Sequence, residues 1–482
     1  DLYIVQDNGP NAGFHDADAA AEAVSLLYTP QAMRYRGIQV YTNTPPRSAQ
    51  RGPGQNQMAC AIEPLIDKAA RQLGIDRVAI RRINAPDSDS PIGGNRRPVT
   101  SAYMREALDL GATRFDWEAR LARSGVRNGS KVRSVGVGQA FHPAGNSGLD
   151  GLVRLTPDGI LHIHTGVGNL GTYSYASTSR VAAEVLQMPW ERCEIIRGDS
   201  RRGLPWNLGQ FGSNTSFTMT RTNFVAATDA VRKLKEIAAM DLGGAPEDYE
   251  IGGEAVFHRG DPSRRISYAA AAARAIELGG EYSGHTVPED LNAMTKTSVA
   301  GLAGSGLIGV DRDRDGHTGT VPALALGFIE IEMDLETGRF EILDYLGVVD
   351  CGTVMHPQGL AAQVKSGAVM GFGMAASERH VYDPHYGLAA TVGYHQAKPP
   401  TYLDVPSVIQ SAAVDRADPQ NPVGARGIGE PVMGCAAAAL LGAISDSLGG
   451  HYFNRTPIVP DMIINAMAER PQSHGPLAVS TM

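Results

Sequence analysis

The chain has 482 residues, 43% of them hydrophobic and 20% charged, with 51 acidic against 43 basic side chains and a formal net charge of −8. That balance excludes a disordered or collagen-like chain, and the net negative charge argues against a nucleic-acid partner held by its phosphate backbone. No apolar run, the stretch 436–441 included, approaches the ~18 residues of a membrane span, and the length alone is a prior for about three domains.

In chain order, the first clear element is a helix over 57–73. Met58, Ile62, Leu65, Ile66, Ala69 and Leu73 recur at helical spacing, and Gly74 follows as a C-cap. The glycine- and proline-containing loop 48–54 precedes it and is the first candidate for close backbone contact with a ligand. A new unit opens near Val132. Strands at 152–155 and 160–164 flank Thr156-Pro157-Asp158-Gly159, a hairpin signal. Helices follow over 177–186 and 224–239. The Gly-, Pro- and charge-rich stretch of about 243–315 reads as a surface excursion. Strands at 328–333 and 340–349, a helix at 359–373 and an apolar, buried helix at 432–448 complete the pattern. Strands alternating with helices give an α+β or mixed α/β chain with mixed sheets and packed helices.

Cys60, Cys193, Cys351 and Cys435 are widely spaced, with no Cys-x-x-Cys pair. Neither a zinc knuckle, an iron–sulfur cluster nor a disulfide scaffold is built from them. They fit a reducing compartment, taken as the cytoplasm, with the periplasm left open. No basic-then-apolar signal segment follows Asp1.

Three motifs carry chemistry in form. Gly166-Val167-Gly168-Asn169-Leu170-Gly171 is a literal G-x-G-x-x-G, but its helix opens late and no acidic residue follows about 20 positions on, so a phosphate-bearing group other than NAD fits it better. Asp311 to Gly316 opens like a calcium loop, yet Pro322 stands where the bidentate Glu belongs, which leaves a solvated charged turn. His142, His162, His164, His356, His380, His385 and His395 are scattered and read as surface or satisfied core histidines. The most informative stretch is Val423-Gly424-Ala425-Arg426-Gly427-Ile428-Gly429-Glu430-Pro431. Its glycines let backbone pass close to a bulky ligand, and proline starts a buried helix. Glu430 is then either a desolvated general base with a raised pKa or a helix-dipole cap; the residues alone leave both open.

Gly427-Ile428-Gly429-Glu430 resembles the Gly-Val-Gly-Glu motif of the xanthine oxidase family of molybdenum hydroxylases. Four more segments match in the same order. They are Ala49-Gln50-Arg51-Gly52-Pro53-Gly54 with the helix after it, the Gly166–Gly171 loop, Gln210-Phe211-Gly212-Ser213, and Asp350-Cys351-Gly352 through Pro357 and Gln363 to Gly367. The resemblance implies two molybdopterin-binding subdomains: residues 1–125 are the C-terminal part of the first, which is incomplete, and 126–482 are the second. It implies molybdenum held by a pterin dithiolene, as a cytosine dinucleotide, with no protein metal ligand. Cofactor contacts fall to Arg51, Gly52, Gly168, Asn169, Gly171, Thr172, Phe211, Gly212, Ser213, Gln363, Gly427 and Gly429, the substrate pocket to Gln50 and Pro53, and the catalytic base to Glu430.

The implied activity is hydroxylation of an aldehyde or N-heteroaromatic carbon with water as oxygen source. The alternatives are a molybdenum-dependent hydratase and a non-catalytic half that completes a cofactor site. Implied partners are a chain carrying the N-terminal part of the molybdopterin subunit, a [2Fe-2S] subunit and an FAD subunit. There are departures from the family pattern. The family's Gly-Gln-Gly glutamine is missing from the Gly166–Gly171 loop, since Thr172 and Tyr173 follow Gly171. Pro53 stands where purine oxidisers place a stacking Phe, and Asp18-Ala19-Ala20 lacks their Arg, which disfavours a purine substrate.

Overall fold

A computed structural model describes every residue except 12–14, 200, 202 and 473–482. The chain forms two compact units, neither continuous in sequence: residues 1–143, 319–416 and 428–482 make the first, and 144–318 with 417–427 make the second.

The first unit is built on a five-stranded sheet in the order Ile409–Ala413, Arg339–Asp350, Pro322–Asp334, Lys131–Pro143, Arg127–Asn128. Pro322–Asp334 runs antiparallel to both neighbours, and Ile409–Ala413 pairs parallel with Arg339–Asp350, so the sheet is mixed. Strand alternation sorts Lys131–Pro143 into two faces. Val135, Val137 and Phe141 enter a core with Phe115, Trp117 and Phe328, whose rings meet at 5.7 and 5.9 Å. Gly136, Gly138, Ala140 and His142 take the other face, under helix Pro431–Ser447. A Cβ on Gly136 would lie 2.0 Å from the Ala439 carbonyl oxygen, and one on Gly138 2.6 Å from the Ala439 nitrogen. The helix therefore docks backbone-on-sheet, through small residues. All of it but Ser445 is buried, as its all-round apolarity predicts.

Helices Gln55–Leu73 and Pro357–Ala376 pack on that buried helix. Arg81 is fully buried, with Nη1 2.8 Å from Asp67 Oδ1 and Nε 2.9 Å from Glu63 Oε2, so its charge is paired where water cannot reach it. A parallel pair, Leu2–Asp7 with Tyr35–Val40, flanks helix Asp16–Leu27 near the start of the chain.

The second unit holds a mixed four-stranded sheet, in the order Leu307–Arg312, Asp150–Leu155, Leu161–His164, Cys193–Ile196, and an antiparallel three-stranded sheet, Asp261–Ser267, Ala255–His258, Tyr249–Gly252. Its long helix is Thr215–Leu242. The glycine device recurs here: Cβ atoms on Gly151 and Gly309 would lie 1.9 and 2.4 Å from the carbonyl oxygens of Thr222 and Ala226.

Two expectations are corrected. The stretch 243–315 is no surface excursion: Tyr249, Val256, Tyr268, Ala271 and Leu307 lie in the core of the second unit, and Leu307–Arg312 is a sheet strand. Its strands and helices are short and carry charges of their own, such as Arg264, Arg274 and Lys296, which hid them. The turn at Asp311–Gly316 is not wholly solvated either. Asp313 is buried and takes both Nε and Nη2 of buried Arg221 at 2.7 Å. The strand Lys131–Pro143, which follows the division expected at residue 125, pairs into the sheet of the first compact unit.

Candidate functional site

The loop before helix Gln55–Leu73 turns on Gly52 (φ 65°) and Gly54 (φ 90°). A Cβ on Gly54 would stand 2.1 Å from the Asp16 carbonyl oxygen, so only glycine can start the helix here. The turn delivers Arg51 to a three-way junction within the first unit. Its guanidinium donates through Nη1 to the Ser366 hydroxyl at 3.0 Å, through Nη2 to the Gln363 side-chain oxygen at 3.0 Å, and through Nε to the Gly429 carbonyl. Ser366 and Gln363 both belong to helix Pro357–Ala376. Asn56, almost fully buried, donates from Nδ2 to the carbonyls of Arg51 at 2.8 Å and Glu430 at 3.1 Å. The planar fork of arginine suits this role, since each of its nitrogens serves a different segment.

Glu430 is the N-cap residue of the buried helix, with Pro431 at the first helical position. Its side chain makes no capping hydrogen bond, although its charge lies at the helix N-terminus where the helix dipole favours it. Its Oε2 instead lies 2.9 Å from His142 Nδ1, with the Glu430 side chain 16% exposed and that of His142 6%. The carboxylate is thus neither in bulk water nor sealed off. The same His142 nitrogen lies 2.6 Å from the Pro143 carbonyl oxygen. A carbonyl only accepts, so Nδ1 carries the hydrogen and donates to both oxygens. Burial holds the Arg51 guanidinium below its ordinary pKa, and the Glu430 carboxylate opposes that shift. Arginine stays cationic nonetheless, so a positive charge stands near Glu430.

In the second unit, two glycine-rich loops and one backbone segment meet. Gln210 donates Nε2 to the hydroxyls of Thr172 at 2.6 Å and Ser174 at 2.5 Å, and its side-chain oxygen accepts from the Leu170 amide at 2.8 Å. Asn169 Oδ1 accepts the Gly171 amide at 2.9 Å. Gly212 (φ 59°) and Ser213 (φ 50°) are both left-handed, and a Cβ on Gly427 would fall 1.6 Å from the Ser213 carbonyl oxygen. This cluster brings together Asn169, Gly171, Thr172, Phe211, Gly212, Ser213 and Gly427, with Gly168 one residue before Asn169 in the same loop. The first unit gathers Arg51, Gly52, Gln363, Gly429 and Glu430. Pro53 is half-buried in the Arg51 turn, and Gln50 is exposed beside it. Sequence reasoning missed Asn56, Ser366 and above all His142. The signal for His142 was its place at the end of the alternating run Gly136-x-Gly138-x-Ala140-x-His142.

Each unit by itself presents features that a large polar ligand can use. A Cβ on Gly168 or Gly171 would meet nothing within 4 Å, so backbone is open there. Leu170, Tyr173 and Phe211 of the same loops are exposed apolar groups. In the first unit Gln55, 5% exposed, leaves its side-chain oxygen without a partner. Among the described residues, no group of three or more His, Cys, Asp or Glu side chains could hold a metal ion.

Comparison with known proteins gives two family matches, both to a molybdopterin cofactor-binding domain, over residues 1–85 and 110–406. The putative xanthine dehydrogenase molybdenum-binding subunit XdhA of Escherichia coli K12 is 28% identical over 472 residues, which are 95% of this chain and 59% of that one. The aldehyde oxidoreductase molybdenum-binding subunit PaoC of Escherichia coli O157:H7 is 27% identical, covering 90% of this chain and 54% of its own length. Quinoline 2-oxidoreductase from Pseudomonas putida 86 shares the fold with a TM-score of 0.80 at 24% identity, over 97% of this chain and 59% of that one. The chain thus spans somewhat more than half the length of the curated relatives it matches.

Proposed function

Since the chain belongs to the molybdopterin cofactor-binding domain family, the family of the xanthine oxidase type, we propose that it is the molybdopterin-binding catalytic part of a heteromeric molybdenum hydroxylase or dehydrogenase. Its substrate is an aldehyde or an N-heteroaromatic ring, and water is the oxygen source. When bound, the cofactor supplies a two-electron redox centre whose metal is held by the pterin dithiolene. This chain's residues do the rest. Arg51 and Gln363 of the first unit would take the pterin, Arg51 acting through Gln363, whose side-chain oxygen it holds at 3.0 Å; Gly168 and Gly171 leave backbone open to the cofactor. Backbone N–H groups in such glycine-rich turns suit phosphates, in keeping with a cytosine dinucleotide form.

Glu430 accepts the proton of the oxygen nucleophile that attacks the substrate carbon. The observation that carries this reading is that its carboxylate makes no capping bond to its own helix and is met instead by a ring N–H, with the half-buried Arg51 guanidinium nearby. Donors and positive charge of this kind keep a carboxylate ionised and so able to take a proton. Electrons then leave through a [2Fe-2S] subunit and an FAD subunit.

Glu430→Gln in the purified native complex tests the reading with an aldehyde substrate and a dye acceptor. A fall in kcat on the order of 10²–10⁴, the usual worth of a general base, with molybdenum content unchanged is the expected result. An unchanged kcat in an intact, loaded complex contradicts it.

A further inference from the structure

We infer that His142 is a positioning residue for the Glu430 carboxylate: through Nδ1–H it fixes the orientation of that carboxylate and the pH range over which it can accept a proton. The inference rests on the reading of Glu430 as the base. It goes beyond that reading because it assigns control of the base to a neighbour on a different element.

The geometry is local to the first unit. His142 follows Gly136, Gly138 and Ala140 on the strand face under the helix, so it is the first long side chain where that face reaches the helix N-terminus. Its ring is buried at 6% exposure, and Nδ1 stands 2.9 Å from Glu430 Oε2. The Pro143 carbonyl, 2.6 Å from the same nitrogen, accepts from it and so fixes the tautomer. A histidine serving only to fill the core would not need its donor aimed at a carboxylate that its own helix leaves free of capping bonds. Two charged or titratable groups are placed toward Glu430. One is His142 on the strand, and the other is Arg51 on the loop before helix Gln55–Leu73, linked to the adjoining Gly429 carbonyl. Arg51 is cationic throughout the working range, so substituting His142 removes the hydrogen bond to Glu430 while that charge stays in place.

The sign follows directly. A donor to a carboxylate favours the ionised form. Removing it raises the pH at which Glu430 gives up its proton, so the base is available only at higher pH. The two amide variants separate position from bulk. In His142→Asn the amide nitrogen overlays Nδ1, and in His142→Gln it overlays Nε2.

The test measures kcat and KM against pH for the native complex and both variants, each at matched molybdenum content. His142→Gln is expected to lower kcat by about 10- to 100-fold near neutrality with KM changed less than about twofold, and to move the acid limb up by about one pH unit. His142→Asn is expected to restore the limb and most of kcat. A second readout needs no turnover: imidazole 15N spectra of the full chain isolated without cofactor, with His142 assigned by its loss in His142→Asn. The Nδ1–H tautomer is expected, with an Nδ1 resonance that moves in Glu430→Gln. An acid limb that stays in place in His142→Gln while Glu430→Gln is inactive overturns this inference alone, as does an Nε2–H tautomer. Full activity of Glu430→Gln overturns both this inference and the reading it rests on.

Discussion

Gly427 has no room for a side chain, because a Cβ would come within 1.6 Å of the Ser213 carbonyl oxygen. Ser213 itself sits at φ 50°, where few side chains are comfortable. Gly427→Ala must therefore push two strained backbone segments of the second unit apart. Overpacking of this kind costs about 1–3 kcal/mol. Chemical unfolding of the full chain should show that loss, and an unchanged midpoint would mean that the two segments do not touch. The sequence pointed to this glycine for a related reason, close passage of backbone past a ligand, and could not distinguish a ligand from the protein's own backbone. Arg51 gives the complementary case. Its charge was legible, but its three partners on Gly429, Gln363 and Ser366 lie over 300 positions away in sequence. Arg51→Lys keeps the charge and loses the fork. A lower yield of molybdenum per purified chain is expected, and full loading would show that charge alone suffices.

Helix Pro431–Ser447 was legible because it is apolar all round, and its burial follows from that. What it lies on was not. The glycine row of Lys131–Pro143 reads locally as weak strand, and only the pairing of Gly138 with Gly327, and of Gly327 with Gly347, shows a sheet made smooth for a helix. The same alternation carries His142 to Glu430, which is why a histidine that looked scattered stands in the candidate site. At its other end the helix is tied by Asp446, whose carboxylate meets Arg71 at 2.8 Å and Arg77 at 3.1 Å and also accepts the Ser124 hydroxyl. Burial alone would raise the pKa of Asp446, but Arg77, Ser124 and Arg71 outweigh it and hold it below the usual carboxylate range. The stabilisation is therefore fully present above the unfolded value of about 3.9 and is lost as pH falls through the lower folded value. Asp446→Ala leaves Arg77 buried without its carboxylate, a change that costs about 3–5 kcal/mol. Denaturation midpoints of the two chains should differ strongly at pH 7 and converge as pH falls below about 4. A gap that persists at low pH would assign the effect to packing.

At the scale of the whole chain, each unit is assembled from segments that the sequence keeps apart. The first unit takes 1–143, 319–416 and 428–482, and the boundary with the second falls between Gly427 and Ile428, inside the motif that pointed to the family. Local periodicity cannot see such a division, because the pairing of Lys131–Pro143 with Pro322–Asp334 is non-local. It also misread 243–315, where short strands and turns mimic a loop. The motif order survived because each motif is a local backbone device, a tight turn or a helix start, that can be read without knowing its partners. None of the helices among the described residues is long and apolar enough to cross a membrane.

The account stands on this chain carrying a molybdopterin. The direct measurement is the molybdenum and pterin content of the native complex purified through this chain, together with the masses of the chains that come with it. The account predicts molybdenum and a pterin nucleotide in equimolar ratio to the chain, with an iron–sulfur subunit beside it. A stoichiometric, folded complex with neither molybdenum nor pterin would contradict it.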